Sequence, residues 1–254
     1  MIDLHCHVLP GIDDGPATME DSLALAAAAA ADGTHTIVAT PHVSWEWPEN
    51  DAGRIAAGVS ALNTALREAH IEIEVLAGAE VALSRAADLD LAQVRALRLG
   101  GSPWLLVECP LTASAPGFEK GLAVLRGQGL LVALAHPERC PAFHADPERL
   151  AALVADGMIT SLTASAFTGR FGRAVKRCAF DLLRRGLVHT VASDAHDAVR
   201  RPPALAGALA EAGLADEGQW LSGDAPRMIL RGAELPQPRA FTPRARLMSR
   251  LFGA

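Results

Sequence analysis

Tyrosine is absent from this chain, and aromatic residues make up only 4% of it. A core must therefore be built from aliphatic side chains. A long apolar run is also missing: the alanine stretch from Ala24 to Ala31 is too short to cross a bilayer and is closed by Asp32 and Gly33. No long apolar stretch precedes His5 and His7, so we expect no secretory signal. The four cysteines, at 6, 109, 140 and 178, form no C-x-x-C pair and no spacing of a disulfide framework. A reduced, cytoplasmic setting is the expectation. An excess of positive charge is lacking as well. The formal net charge is −6, and the last nineteen residues carry four arginines and no acid, so the rest of the chain is more acidic still. Such a body argues against a nucleic-acid backbone as partner.

What is present fits one large domain: 254 residues, half of them hydrophobic. β-like runs alternate with helical patterns about seven times. The strands are expected at 2–5, 36–40, 73–80, 105–108, 130–136, 159–163 and 188–193. Helices are expected at 19–32, with Thr18 as N-cap and Gly33 as its stop, and at 52–69, 118–128, 147–156, 170–185 and 204–212. This rhythm predicts a parallel α/β sheet with helices outside, and seven strands closing on themselves would make an irregular TIM-like (β/α)7 barrel. No repeat or linker divides residues 1–235. The tail, 236–254, is basic and broken by Pro236, Pro238 and Pro243. Within it Leu247, Met248, Leu251 and Phe252 share one helical face flanked by Arg244 and Arg250. That face suits an anionic membrane surface, or packing on the barrel or on a second subunit.

Chemistry-bearing residues fall in short clusters at the ends of the strand-like runs: Asp3-Leu4-His5-Cys6-His7, Thr40-Pro41-His42, Gly78-Ala79-Glu80, Ala135-His136-Pro137-Glu138-Arg139 and Ser193-Asp194-Ala195-His196. A lone His-x-His means little, because alternate strand residues share a face in many folds. Five clusters in strand-end register are different, since a parallel barrel gathers its strand C-termini at one mouth. A set of imidazoles and carboxylates without thiolate suits manganese, iron or zinc.

These residues, with Asp13-Asp14-Gly15-Pro16 and Arg201-Pro202-Pro203, resemble the polymerase-and-histidinol-phosphatase (PHP) superfamily, and within it the bacterial manganese-dependent protein-tyrosine phosphatases of the CpsB/YwqE type. The resemblance covers about residues 1–235. It implies a distorted seven-stranded barrel, three divalent metal ions, manganese in this family, and hydrolysis of phosphotyrosine on a membrane-associated bacterial tyrosine autokinase that controls capsule or exopolysaccharide assembly. The cytoplasmic protein would then work at the inner face of the membrane. Carried over by position, His5, His7, Glu80 and Asp194 would hold a first metal. Glu80 would bridge to a second, also held by Glu108 and His136. Asp14, His42 and His196 would hold the third. Closely spaced metals lower the pKa of a shared water, so that metal-bound hydroxide attacks and no protein nucleophile is needed. Arg139 and Arg201 would grip the phosphate.

Blander readings stand beside these. Glu108 alone would be a strand-end surface charge, and Asp13-Asp14-Gly15 alone a turn signal. Cys6 should face away from the two histidines and pack. Cys178 and Arg184 meet a C-x5-R spacing, but the residues between them form an apolar helical pattern with no glycine to shape a phosphate loop. His35, His70, His144 and His189 belong to no cluster, and surface or capping roles are expected for them. Thr163 stands where relatives often show asparagine, which leaves any substrate contact there open. Trp45 and Trp47 form either a rim that receives an aromatic phosphoester or a cluster that closes a loop. A histidinol-phosphatase-like phosphomonoesterase is the alternative activity. A barrel that had lost its chemistry would show missing ligands, and every matched position has a suitable residue.

Overall fold

Among the described residues, short aliphatic runs form nine strands, each parallel to its neighbours: β1 (Ile2–Cys6), β2 (Thr36–Ala39), β3 (His42–Val43), β4 (Glu74–Ala77), β5 (Glu80–Val81), β6 (Trp104–Glu108), β7 (Leu131–Ala135), β8 (Ile159–Thr163) and β9 (Thr190–Ala192). They belong to a computed structural model that describes residues 1–113, 115–238, 240 and 241. One sheet has the order β1-β2-β4 and the other β3-β5-β6-β7-β8-β9.

The sequence pattern leads to seven strands; the course expected over 73–80 is broken, and β3 is an additional short strand beyond the one expected over 36–40. Thr40-Pro41 separates β2 from β3, because proline has no N–H to give to a ladder. Gly78-Ala79 separates β4 from β5. A Cβ on Gly78 would lie 2.7 Å from Val38 Cγ1, so the chain presses on its neighbour where only glycine fits. The two sheets meet at a seam between β1 and β9. There Cys6 bridges Ala195 in parallel, the His7 N–H donates to Ala195 O (2.9 Å), and the Asp194 N–H donates to His5 O (2.8 Å). The buried Asp3 carboxylate accepts from Ser193 N (3.0 Å) and from the Ser193 hydroxyl.

Two apolar clusters follow from the alternation of strand residues. Leu4, Val38, Leu106, Ala133 and Ile159 fill the barrel, closed from below by Leu99 and Ile229. Leu105, Val107, Val132, Leu134 and Val191 face the other way, against leucines of the surrounding helices. A register shift between Asp3 and Cys6 breaks the alternation in β1, so Leu4 lies in the inner cluster and Cys6 in the outer one.

The helix Met19–Ala31 starts at Thr18 in a capping box with Asp21 and stops before Gly33, whose φ is +93°. Helices Ala52–Glu68, Phe118–Gly127, Pro147–Ala155, Arg173–Arg184 and Ala206–Glu211 start and stop within three residues of the expected bounds. Leu83–Ala86, Leu91–Ala96, Pro141–Ala145 and Ala164–Thr168 are additional, and all are too short to show a helical period in the sequence. Among the described residues no helix is long and apolar enough to cross a membrane. The amphipathic face at Leu247, Met248, Leu251 and Phe252 lies outside the described residues. Phe241, before it, donates its N–H to Leu183 O (3.2 Å).

Candidate metal centre

Parallel strands deliver the clusters to one end of the barrel. His5 lies in β1 and His7 just beyond it. His42 opens β3, Glu80 opens β5, Glu108 ends β6, and His136, Asp194 and His196 follow the ends of β7 and β9. Two of these residues sit where side chains rarely go: φ is +37° at His136 and +52° at Asp194. Such positions cost on the order of 1–3 kcal/mol and persist only where the surroundings enforce them. Here they turn the chain as it leaves the sheet. Asp14 arrives from the loop after β1, which Gly15 holds in place. A Cβ on Gly15 would stand 2.5 Å from His7 O, so no other residue allows the loop this close.

The donor atoms converge on Glu80, which is 1% exposed. Its Oε2 lies 3.2 Å from His5 Nε2, 3.3 Å from His7 Nε2 and 3.2 Å from His42 Nδ1, yet it forms no hydrogen bond. Glu80 Oε1 is 2.7 Å from His136 Nε2. Asp194 Oδ1 is 3.6 Å from both His5 Nε2 and His7 Nε2. On the outer side, Asp14 Oδ1 is 3.2 Å from His196 Nε2 and 3.6 Å from His42 Nε2. Three overlapping groups can each enclose an ion: His5, His7 and Glu80; His42, Glu80 and Glu108; and His7, Asp14, His42 and His196. These groups hold seven of the nine expected ligands, and His136 and Asp194 adjoin them through Glu80 and through His5 and His7. The grouping differs from the expected one: His7 also reaches the outer set, His42 stands with Glu80 and Glu108 where His136 was expected, and Asp194 falls outside the group of His5, His7 and Glu80. Imidazole nitrogens crowding an unpartnered carboxylate oxygen are a donor set that a divalent cation would satisfy.

The electrostatics report the same crowding. Burial alone would raise Glu80, but the imidazoles of His5 and His136 hold it well below the usual carboxylate range. Asp194 is likewise opposed by burial and brought down to about 2 by His5, His136 and Arg201. Glu108 goes the other way: burial, then the neighbouring Glu80 charge, push it up to about 7. Burial takes His42 down to about 4. Burial would lower His7, but the neighbouring carboxylates of Asp13 and Glu80 raise it to about 10.

Arg139 and Arg201 stand at the edge of this set. Arg139 Nη1 and Arg201 Nη2 both donate to Asp194 Oδ2 at 2.8 Å. Arg139 also lies over the Phe171 ring, 4.6 Å from its centroid. Both arginines line a cleft of about 400 Å³ with His42, Trp45, Trp47 and Glu108. Trp47 stacks on His42 with centroids 5.0 Å apart and planes 9° from parallel, so it backs a ligand ring. Trp45 is 56% exposed beneath the guanidinium of Arg85.

Several residues escaped the sequence reading. The side chain of Asp13 is buried, and its Oδ2 accepts from His7 Nδ1 (2.7 Å) and His42 N (3.0 Å). A carboxylate behind an imidazole fixes which nitrogen faces a metal. The doublet Asp13-Asp14 was the available signal, but it does not say which acid points inward. Asp3 braces the loop that carries Asp194. His189 is not at the surface: it is 6% exposed, and its Nδ1 accepts from Thr160 N (3.1 Å). The expectation failed because an acceptor need at the foot of β8 leaves no mark in sequence. His70 is exposed after a helix end at φ +55°, His35 bonds Thr36, and His144 Nε2 meets Glu138 O. Thr163 gives its N–H to the buried Glu138 (2.9 Å). Cys178 lies in the helix Arg173–Arg184, its thiol pushed by burial up to about 12, and Cys6 packs in the outer core. Neither is placed to act as a nucleophile.

Comparison with known proteins gives a consistent outcome. The sequence profile of the capsular polysaccharide synthesis family CpsB/CapC matches residues 1–213. The tyrosine-protein phosphatase YwqE of Bacillus subtilis is 34% identical over 201 residues, 79% of each chain. The tyrosine-protein phosphatase CpsB of Streptococcus pneumoniae is 30% identical over 238 residues, 91% of this chain and 98% of that one. A crystal structure from work on YwqE and CpsB, described as unique metal-dependent tyrosine phosphatases, superposes with a TM-score of 0.83 at 30% identity, covering 95% of this chain and 100% of that one.

Proposed function

The chain belongs to the CpsB/CapC family of capsular polysaccharide synthesis, and from that premise we propose that it is a metal-dependent protein-tyrosine phosphatase. The convergence of three imidazoles on the unpartnered Glu80 Oε2 carries the proposal.

Three divalent ions, manganese by family, would be held by His5, His7, Glu80 and Asp194; by Glu80, Glu108 and His136; and by Asp14, His42 and His196. The overlap of His7 and His42 between groups supports sharing across neighbouring positions. Such ions lower the pKa of a shared water and neutralise phosphate charge. The chain's own residues do the rest. Asp13 holds the His7 proton on Nδ1 and so presents Nε2 to the centre. Arg139 and Arg201, anchored on one oxygen of Asp194, offer their remaining donors to the phosphate oxygens that are not attacked. A phenolate leaves with a pKa of about 10, so it needs less protonation than an alkoxide does.

The substrate would be a phosphotyrosine protein, a membrane-associated bacterial tyrosine kinase in capsule or exopolysaccharide synthesis, met by this protein at the cytoplasmic face of the membrane. Residues 1–235 form the working unit and 236–254 a basic tail. The test compares a phosphotyrosine peptide, a phosphoserine peptide and histidinol phosphate with added manganese. Turnover of the first well ahead of the others is expected, and preference for histidinol phosphate overturns the proposal.

A further inference from the structure

A second hollow of about 540 Å³ lies beside the cleft, and nothing in the chemistry above uses it. It is lined by Leu89, Ala92, Ala96 and Leu97, by Arg85, and by residues 48–53, the loop and first residues of the helix Ala52–Glu68. Cleft and groove adjoin along two separate stretches of chain. Residues 44–47 line the cleft and 48–53 the groove, and Ser84 lines the cleft and Arg85 the groove. At this border Arg85, which lines the groove, lies over Trp45, which lines the cleft, its guanidinium 4.9 Å from the centre of the ring.

The charges around the groove are unequally committed. Asp51 is occupied as the cap of the helix Ala52–Glu68, accepting from Arg54 N (2.7 Å), and Glu49 pairs with Arg54 (3.4 Å). Arg85 makes no ion pair among the described residues, and its Nε is buried with no hydrogen-bond partner. An occupant should therefore bring a carboxylate to Arg85 and apolar surface to the alanine face. Ala92 and Ala96 are four apart on one short helix, so two minimal side chains stand together where larger ones would close the groove.

We propose that this groove binds the polypeptide flanking the phosphotyrosine on one side, seating an apolar residue against Ala92 and Ala96 and an acidic one at Arg85. The inference rests on the phosphatase reading of the adjoining cleft. Extended chain advances about 3.3 Å per residue, so residues two to four removed from the phosphotyrosine reach across the Trp45–Arg85 border. The phosphate cleft then selects the modified side chain, and the groove selects which tyrosine.

The test measures binding of the full chain, with manganese, to fluorescent probes built on phosphonomethyl-phenylalanine, a phosphotyrosine mimic that is not hydrolysed. One probe is blocked at both ends; two others carry four residues including leucine and glutamate, on the N-terminal or the C-terminal side. One extension is expected to tighten Kd about tenfold. Ala96→Trp and Ala92→Trp, at exposed positions that burden no core, are expected to remove that gain and leave the blocked probe unchanged. Arg85→Gln should weaken the glutamate probe more than its glutamine counterpart. No gain from either extension, or a gain that survives both tryptophan variants, overturns the proposal. Failure of the phosphatase reading looks different: the native chain would not hydrolyse phosphotyrosine, whatever the extended probes do.

Discussion

The two ends of the barrel use buried histidine in opposite ways. At the mouth, His7 packs ring against ring with His196 and His42, centroids 3.9 and 4.6 Å apart, and the nitrogens face Glu80, Asp194 and Asp14. At the foot, His189 is also hidden, and among the described residues it faces no carboxylate. It takes a backbone N–H from Thr160, and burial alone carries it down to about 4. Burial therefore does not mark a ligand. Carboxylate oxygens left unpartnered among several imidazoles do.

Glu80→Gln should break the comparison most severely, since one oxygen serves three imidazoles. Metal content should fall and kcat/KM drop by at least about a thousandfold, whereas His189→Gln should keep both within about twofold. Metal analysis beside kinetics checks this, and a metal-replete, active Glu80→Gln protein would remove Glu80 from the centre.

Arg139→Ala and Arg201→Ala should lower kcat/KM by roughly one to three powers of ten while metal content stays whole, as for lost charge-stabilising donors. Metal loss in Arg139→Ala, or unchanged kinetics in both variants, would contradict the assigned role. Asp13→Asn should weaken metal binding by about 10–100-fold, the usual scale for a partner behind a ligating imidazole, read by titration with manganese.

At the foot the expected effect is on acid stability. The pKa of His189 is lower folded than unfolded, so its contribution is whole above about pH 6.5 and is lost as pH falls from there towards about 4. His189→Gln keeps an acceptor for Thr160 N and removes this loss. The variant should gain about 2 kcal/mol on the native chain between pH 7 and pH 5, by denaturation at the two pH values. Parallel stability curves would show that His189 does not titrate as argued. The smallest effect is expected at the thiols: Cys6→Ser and Cys178→Ser should retain most activity, and a strong chelator should abolish it. Inactivation by alkylating Cys178 with metal intact would reverse that.

Strands and long helices were legible because their periods run over enough residues to show. Thr18 and Gly33 marked their helix by chemistry that acts within one turn. The clusters were legible as strand ends, and so was their gathering at one mouth, but the individual contacts were not. Nothing local says that Glu80 Oε2 is shared by His5, His7 and His42, or that Arg139 and Arg201 meet on Asp194, since these contacts join residues far apart in sequence. Asp13 was hidden by its neighbour, and the short helix that carries Ala92 and Ala96 is below the length at which a period can be seen.

The seam between β1 and β9 also sets an order of events. His5 and His7 leave the ribosome some 190 residues ahead of Asp194 and His196, and the hydrogen bonds that close the ring join these two distant stretches. Contacts so distant in sequence form slowly, because the chain between them must be gathered first. The nascent protein cannot own a complete centre until its last strand has been made. Ions that bind only the closed ring pull it shut by mass action, so metal supply becomes a determinant of how much finished protein accumulates, quite apart from how fast each molecule turns over.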